Sequence, residues 1–191
     1  MRKGTTALFK LDFSQIGKGP ALSGIPYGWL DEVPSHEHHM GLERNDEMQE
    51  DLEKLERACA EQGLTLPGEF RAFMRSPDLW RKFRSVNAGF FDLRNVPVKC
   101  PIGEGYLIPF IADQQYCHYH FLHLMPGQVE YEIVWAEDLK QALYASPKVF
   151  QENYQRNFDK YDIYLCDNNF EHFMRGHYED NEKWFAEHGY G

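Results

Sequence analysis

Histidine is the residue type in this chain best suited to chemistry. Nine are present, and His118, His120 and His123 fall close together. Imidazole is a common zinc ligand, so the cluster invites a metal reading. On an extended strand, however, His118 and His120 share one face while His123 points to the other. Two ligands need a third from elsewhere, and no HExxH or equivalent motif supplies one. Asp113 and the N-terminal segment offer donors, with nothing to select among them. The expectation is therefore packing of His118 and His120 beside Trp135 and Ile133, with a metal site on His118 and His120 as the alternative. His36, Glu37, His38 and His39 form a second run, but in a loop that gives them no common aim. His172 and His177 are five residues apart and do not stack as i, i+4 ligands would, so they too read as packing.

Other reactive constellations are missing. No GxSxG elbow, GxxxxGK[ST] phosphate loop or GxGxxG turn occurs. Gly103-Glu104-Gly105 is too short for a phosphate loop and places a carboxylate where a phosphate would sit. Cys59, Cys100, Cys117 and Cys166 are scattered without CxxC spacing, which suits reduced thiols rather than a disulfide framework or zinc site. Cys117 neighbours His118, but strand neighbours face opposite ways, so they are not nucleophile and base. The residues predict no enzyme and no cofactor.

The elements that position these residues come next. With 191 residues, 42% of them hydrophobic, the chain is long enough for one domain with its own core. No apolar run approaches the ~20 residues of a membrane span, and no secretory signal is recognisable, so a soluble, cytoplasmic protein is expected. Residues 1–42 are dense in Gly and Pro, which blocks a long helix. Their aromatics, with Tyr27 and Trp29, predict an arm packed on the domain of residues 43–191, with a short strand at Ala7 to Phe13. Those aromatics could also frame a small-ligand pocket, though anchoring is their commoner use.

Met48, Leu52, Leu55 and Cys59 recur as one helical stripe that Gly63 ends. Pro67 opens a second helix with Phe70, Phe73 and Met74 buried, and Ser76-Pro77 opens a third through Phe83. Strands follow at Phe90 to Leu93, Tyr106 to Ala112, Tyr116 to Met125 and Val129 to Ala136. Pro126-Gly127 predicts a hairpin in which Leu124 pairs with Val129, His123 with Glu130 and His118 with Trp135. Glu137 to Tyr144 reads as a short helix, and Pro147, Val149, Phe150 and Tyr154 favour another within residues 147–166. Asp167 or Asn168 should cap a last helix carrying Phe170, Phe173, Met174, His177, Trp184 and Phe185. The fold class is α+β, a central, mostly antiparallel sheet flanked by helices.

Charge is unevenly spread along the chain, whose net value is −10. Residues 43–62 hold eight acidic groups against three basic, and 161–191 hold seven against two, whereas 63–100 hold seven basic against three acidic. Such a chain repels nucleic acid and anionic membranes and favours cationic protein partners. Arg71, Arg75, Arg81, Lys82 and Arg84, interleaved with Phe73, Trp80 and Phe83, could bind nucleic acid, but the expectation is outer faces of amphipathic helices, pairing with the acidic first helix.

Three blocks, in order, resemble a known family. Leu66-Pro67 followed by Glu69 through Met74 resembles the LPxx[FY]xx[FL] helix opening of the SUKH superfamily, which includes the fungal cell-wall (glucan) synthesis regulators and many bacterial immunity proteins. Tyr106 to Tyr116, running into Phe121 to Leu124, is similar to its central strand, acidic turn and strand. Phe170 to Met174 with Asn181 to Phe185 resembles the C-terminal helix of a bacterial branch. Asn87-Ala88-Gly89 stands where an Asn-Gly-Gly turn is commoner, and residues 1–42 lie outside the resemblance. The likeness implies a SUKH-like α+β fold and a non-enzymatic protein-binding module. In that branch, such a module is an immunity protein that neutralises a nuclease- or deaminase-type toxin by direct binding. Partner contacts are then expected from Glu47, Glu50, Asp51 and Glu53 on the first helix, or from Glu130 and Glu132 at the sheet.

Overall fold

The structure is a computed structural model that describes residues 26–41, 45–101, 103–137 and 163–189. The expected strand at Ala7 to Phe13, the residues beyond Glu137 in the expected short helix, and the Pro147 to Tyr154 helix lie outside them. The first stripe folds as read. Helix α1 (Asn45–Glu61) buries Met48, Leu52, Leu55 and Cys59. Its end is a Schellman turn: Gly63 adopts φ +68°, its N–H reaches the Ala60 carbonyl, and the Leu64 N–H reaches that of Cys59. Helix α2 (Gly68–Met74) follows Pro67 and buries Phe70, Phe73 and Met74. Helix α3 (Pro77–Trp80) is shorter than the expected stretch to Phe83, yet Phe83 remains buried. The Trp80 indole N–H donates to the Phe73 carbonyl at 2.9 Å and locks these two helices together.

Strands β1 (Gly89–Phe91), β2 (Val98–Lys99), β3 (Tyr106–Asp113), β4 (His118–Leu124), β5 (Tyr131–Glu137) and β6 (Ile163–Asp167) form one antiparallel sheet. Its order is β1-β3-β4-β5-β6, with β2 also against β3. Pro109 interrupts β3, and the β3–β4 register shifts between Pro109 and Ile111. The extra residue there is Phe110, which with Ile108 and Ile111 joins the core on the helix side. That core also takes Leu122, Leu124 and Ile133 from the sheet. A second cluster, including Tyr119, Phe121, Val134 and Leu165, lies on the opposite face.

The hairpin register differs from expectation by two residues. Leu124 pairs with Tyr131, His123 with Glu132 and His118 with Glu137, because residues 125–130 all belong to the connection. An even shift leaves every side chain on its expected face. Strand β6 occupies Ile163–Asp167, a stretch for which the sequence predicts no strand, with side chains alternating between buried and more exposed. Glu137 ends β5 instead of opening a helix.

Helix α4 (Phe170–Glu187) is capped by Asn169, not by Asp167 or Asn168: the Asn169 side chain accepts from the His172 N–H at 2.8 Å. Asp167 is buried, accepts from the Asn168 and Asn169 N–H groups through Oδ1, and meets His172 Nδ1 through Oδ2. Tyr27 and Leu30 sit in the helix-side core; the Tyr27 hydroxyl donates to the Glu69 carbonyl, and its N–H donates to Glu171. Trp29 packs on Phe83 and Tyr178. These aromatics anchor their segment to the domain.

Candidate functional site

Side-chain alternation on β4 sends His118 and His120 to the helix side, where α4 crosses. The His120 ring lies 5.2 Å from Phe173 and 6.0 Å from His177, centroid to centroid. Phe173 and His177 are one helical turn apart on α4 and stack on each other at 5.9 Å. His118 stacks on Trp135 at 5.8 Å. The three imidazoles line a cleft of about 760 Å³ between α4, the β3–β4 turn and the loop from Ser85 to Gly89.

Two devices hold the walls. Asn181, buried on α4, accepts from the Val86 N–H at 3.0 Å and donates to the His177 carbonyl at 2.7 Å. Ser85 Oγ accepts from the Gly89 N–H at 2.8 Å, closing the same loop. Across the cleft, Asp113 Oδ1 accepts from the Cys117 and His118 N–H groups at 2.7 and 3.0 Å, which closes the β3–β4 turn and fixes the carboxylate. Each loop carries one non-glycine residue with positive φ, Ala88 at 51° and Tyr116 at 56°. Such backbone persists where the surroundings over-determine it, and it concentrates at ligand clamps. Replacing Asn181 by alanine is expected to lower stability by about 1–3 kcal/mol, since the Val86 N–H loses its acceptor. Urea unfolding of the variant checks this; an unchanged midpoint would remove Asn181 from its tying role.

Electrostatically, the cleft keeps its inner histidines neutral. Burial pushes His120 down to about 3, helped by the neighbouring His177 and His118. Burial likewise lowers His177 to about 4, with Asp180 opposing. His177 Nε2 is sealed from solvent and has no hydrogen-bond partner. His123, on the opposite face, behaves in the other sense. Burial disfavours its charge, but the Cys100 side chain, the Glu132 carboxylate and the Glu104 carbonyl outweigh it and raise it to about 10. Its ring nitrogens lie 3.0 Å from Glu132 Oε2 and 2.9 Å from the Glu104 carbonyl, both acceptors, so the ring donates twice as an imidazolium.

The sequence-expected partner residues are not one patch. Glu47, Glu50 and Glu53 are exposed on α1, with Glu50 3.3 Å from Lys54. Asp51 is half-buried between Lys54 and Asn95. Glu130 is exposed, whereas Glu132 is engaged with His123. The β4–β5 turn touches the far end of α1 through the Gly127 N–H and Gly63 carbonyl. From there to Glu53 is ~15 Å of helix.

Within the basic stretch Phe73, Trp80 and Phe83 are buried, Arg71 and Arg81 are exposed, and three of the cations are engaged within the fold. Arg75 pairs with Glu56 on α1, Arg84 pairs with Glu182, and Lys82 donates to the Leu30 and Val33 carbonyls. All four cysteines are free. His36, Glu37, His38 and His39 flank a second cavity of about 630 Å³ bounded by the last three.

For the metal alternative, the fold brings His177 beside His120 as a third imidazole. Among the described residues, however, no group of three or more His, Cys, Asp or Glu side chains is arranged to hold a metal ion. The sequence leaves His177 in simple packing and gives Asn181 only as part of the C-terminal block, with no role at a site. The signal for both was the one-turn spacing of Phe173, His177 and Asn181. No helix among the described residues is long and apolar enough to cross a membrane. Comparison of the chain with protein-family models, curated proteins and solved structures finds no match to any of them.

Proposed function

We propose that this chain is a non-enzymatic protein-binding module of SUKH type, a cytoplasmic immunity protein that neutralises a basic nuclease- or deaminase-type toxin by direct binding. The observation that carries this reading is where the fold puts acid: Glu47, Glu50 and Glu53 stand exposed on α1 of a chain with net charge −10. A negatively biased face speeds encounter with a basic partner and competes for the surface that would hold phosphate. The antiparallel sheet with its helices agrees with the fold that the family resemblance implies.

The test is whether a toxin gene lies beside this chain's gene, followed by a binding titration against its product. A 1:1 complex that weakens as salt rises is expected. Reversing Glu47, Glu50 and Glu53 together to lysine should slow association about tenfold at low salt and much less at high salt. Failure to bind the adjacent toxin would sink the proposal. Stoichiometric metal in untagged protein, lost on His118→Ala, would favour the metal reading instead.

A further inference from the structure

The cleft under α4 has a lining that selects one kind of chemistry. None of its lining residues is lysine or arginine, and its ionised side chains are the carboxylates of Asp113 and Asp180. An anionic ligand would therefore enter against charge with no cation to meet it. The remaining walls are mixed: apolar at Val86, Ala88, Ile111 and Ala112, amide at Asn87, Gln114 and Gln115, and aromatic at Trp135 and Trp184. Asp180 is exposed at the rim, with no ion pair among the described residues. Asp113 keeps Oδ1 in its turn, which fixes the carboxylate as an acceptor facing the same space.

We propose that this cleft receives a guanidinium-bearing side chain of the basic protein partner, held by Asp180 and Asp113 and packed against the Trp184 indole. The inference rests on the reading of the chain as a module for a basic partner and names the site where that partner inserts. A guanidinium carries five N–H donors and no acceptor, so it fits the two carboxylates, which only accept. It also packs on indole faces through cation–π attraction, which strengthens where water is excluded. His120 and His177 support the fit: held neutral by burial, they add no repulsion to an entering cation. A cleft of about 760 Å³ has room for an arginine side chain with part of its backbone and bridging water.

Charge complementarity also separates this site from α1. The α1 carboxylates lie on an open helix face, suited to steering, whereas the cleft is concave and gives a partner's side chain an anchoring pocket.

The experiment titrates the full chain with a capped Gly-Arg-Gly peptide, with the same peptide carrying citrulline, and with agmatine as a free organic cation. The readouts are tryptophan fluorescence and the imidazole proton signals. The arginine peptide is expected to shift the His177 and Trp184 signals and to bind about tenfold more tightly than its uncharged citrulline counterpart. Asp180→Asn, an exposed and conservative change, should remove about that tenfold preference, while Glu50→Lys should leave it intact. Equal binding of the arginine and citrulline peptides, or none of either, overturns the proposal. Agmatine binding more tightly than the peptide would assign the cleft to a free amine and overturn the protein-borne source. A second arm measures the adjacent toxin against wild type and Asp180→Asn. Unchanged toxin affinity in the variant sinks the cleft as the insertion site but leaves the immunity reading standing. Peptide binding without toxin binding sinks the immunity reading.

Discussion

Replacing Phe73 by alanine is expected to cost about 3–5 kcal/mol of folding stability, the range for removing a large buried aromatic. The residue has no exposed surface and sits where four elements meet. Its ring is 5.2 Å from Tyr27 of the N-terminal segment, 5.5 Å from Phe83, 5.2 Å from Phe91 on β1 and 5.8 Å from Phe170 on α4. Three of these pairs are edge-to-face, an arrangement that adds about 0.5–1.5 kcal/mol per pair to area burial. Truncation leaves a void that none of the four rings can fill alone, because each is held by its own element. Phe73→Leu should cost roughly half as much, since it keeps most of the volume and loses mainly the ring contacts. Urea unfolding of both variants gives the ordering, and a loss below about 1 kcal/mol for the alanine variant would show that Phe73 is not the hub. Native domains hold only about 5–15 kcal/mol in reserve, so the alanine variant should be partly unfolded at elevated temperature.

This hub was legible in the sequence because it belongs to a helical period: Pro67 set the start of α2, and Phe70, Phe73 and Met74 marked its buried side. The sheet was legible by face and not by register. Alternation placed His118 and His120 together, but β-branched Val129 read as the start of β5 when it is 73% exposed in the connection. The Pro-Gly pair signalled that a turn exists without fixing how many residues it uses. Strand β6 escaped notice because Tyr164 and Cys166 are nearly as apolar as the inward Ile163 and Leu165, so its two-residue period is masked. The cleft was the least legible part. His120 and His177 are far apart in the chain, and no local spacing shows that α4 lays one over the other. The acids of α1 could be counted from sequence, but only the fold shows that Asp51 and Glu132 are partly buried while Glu47, Glu50 and Glu53 are exposed.

Acid should unfold this protein through the same two imidazoles that keep the cleft neutral. A histidine in an unfolded chain titrates near 6.5. In the native state burial holds His120 at about 3 and His177 at about 4. Between those values the unfolded chain binds more protons than the folded one, so stability falls as pH falls. The contribution is intact above about pH 6.5 and is lost progressively toward the folded values. By pH 4.5 the loss is on the order of 2 kcal/mol for each ring.

The groups around them set the balance. His120 faces Phe110, Phe173, His177 and His118, none of which can stabilise a proton on it, while His177 has Asp180 as its one opposing charge. His123 works in the opposite direction: as an imidazolium bound to Glu132 and the Glu104 carbonyl, it contributes fully below about 6.5 and loses that contribution only as pH rises through about 10. It therefore cannot cause the acid loss. Replacing His177 by phenylalanine, which retains a ring beside Phe173, should remove about half of the stability difference between pH 7 and pH 4.5. His123→Gln should leave that difference nearly as it is and instead flatten the decline above pH 8. Urea midpoints measured across pH 4–10 for the three proteins separate these effects. An acid slope unchanged in His177→Phe would mean that carboxylates such as Asp167, and not the cleft imidazoles, govern acid unfolding.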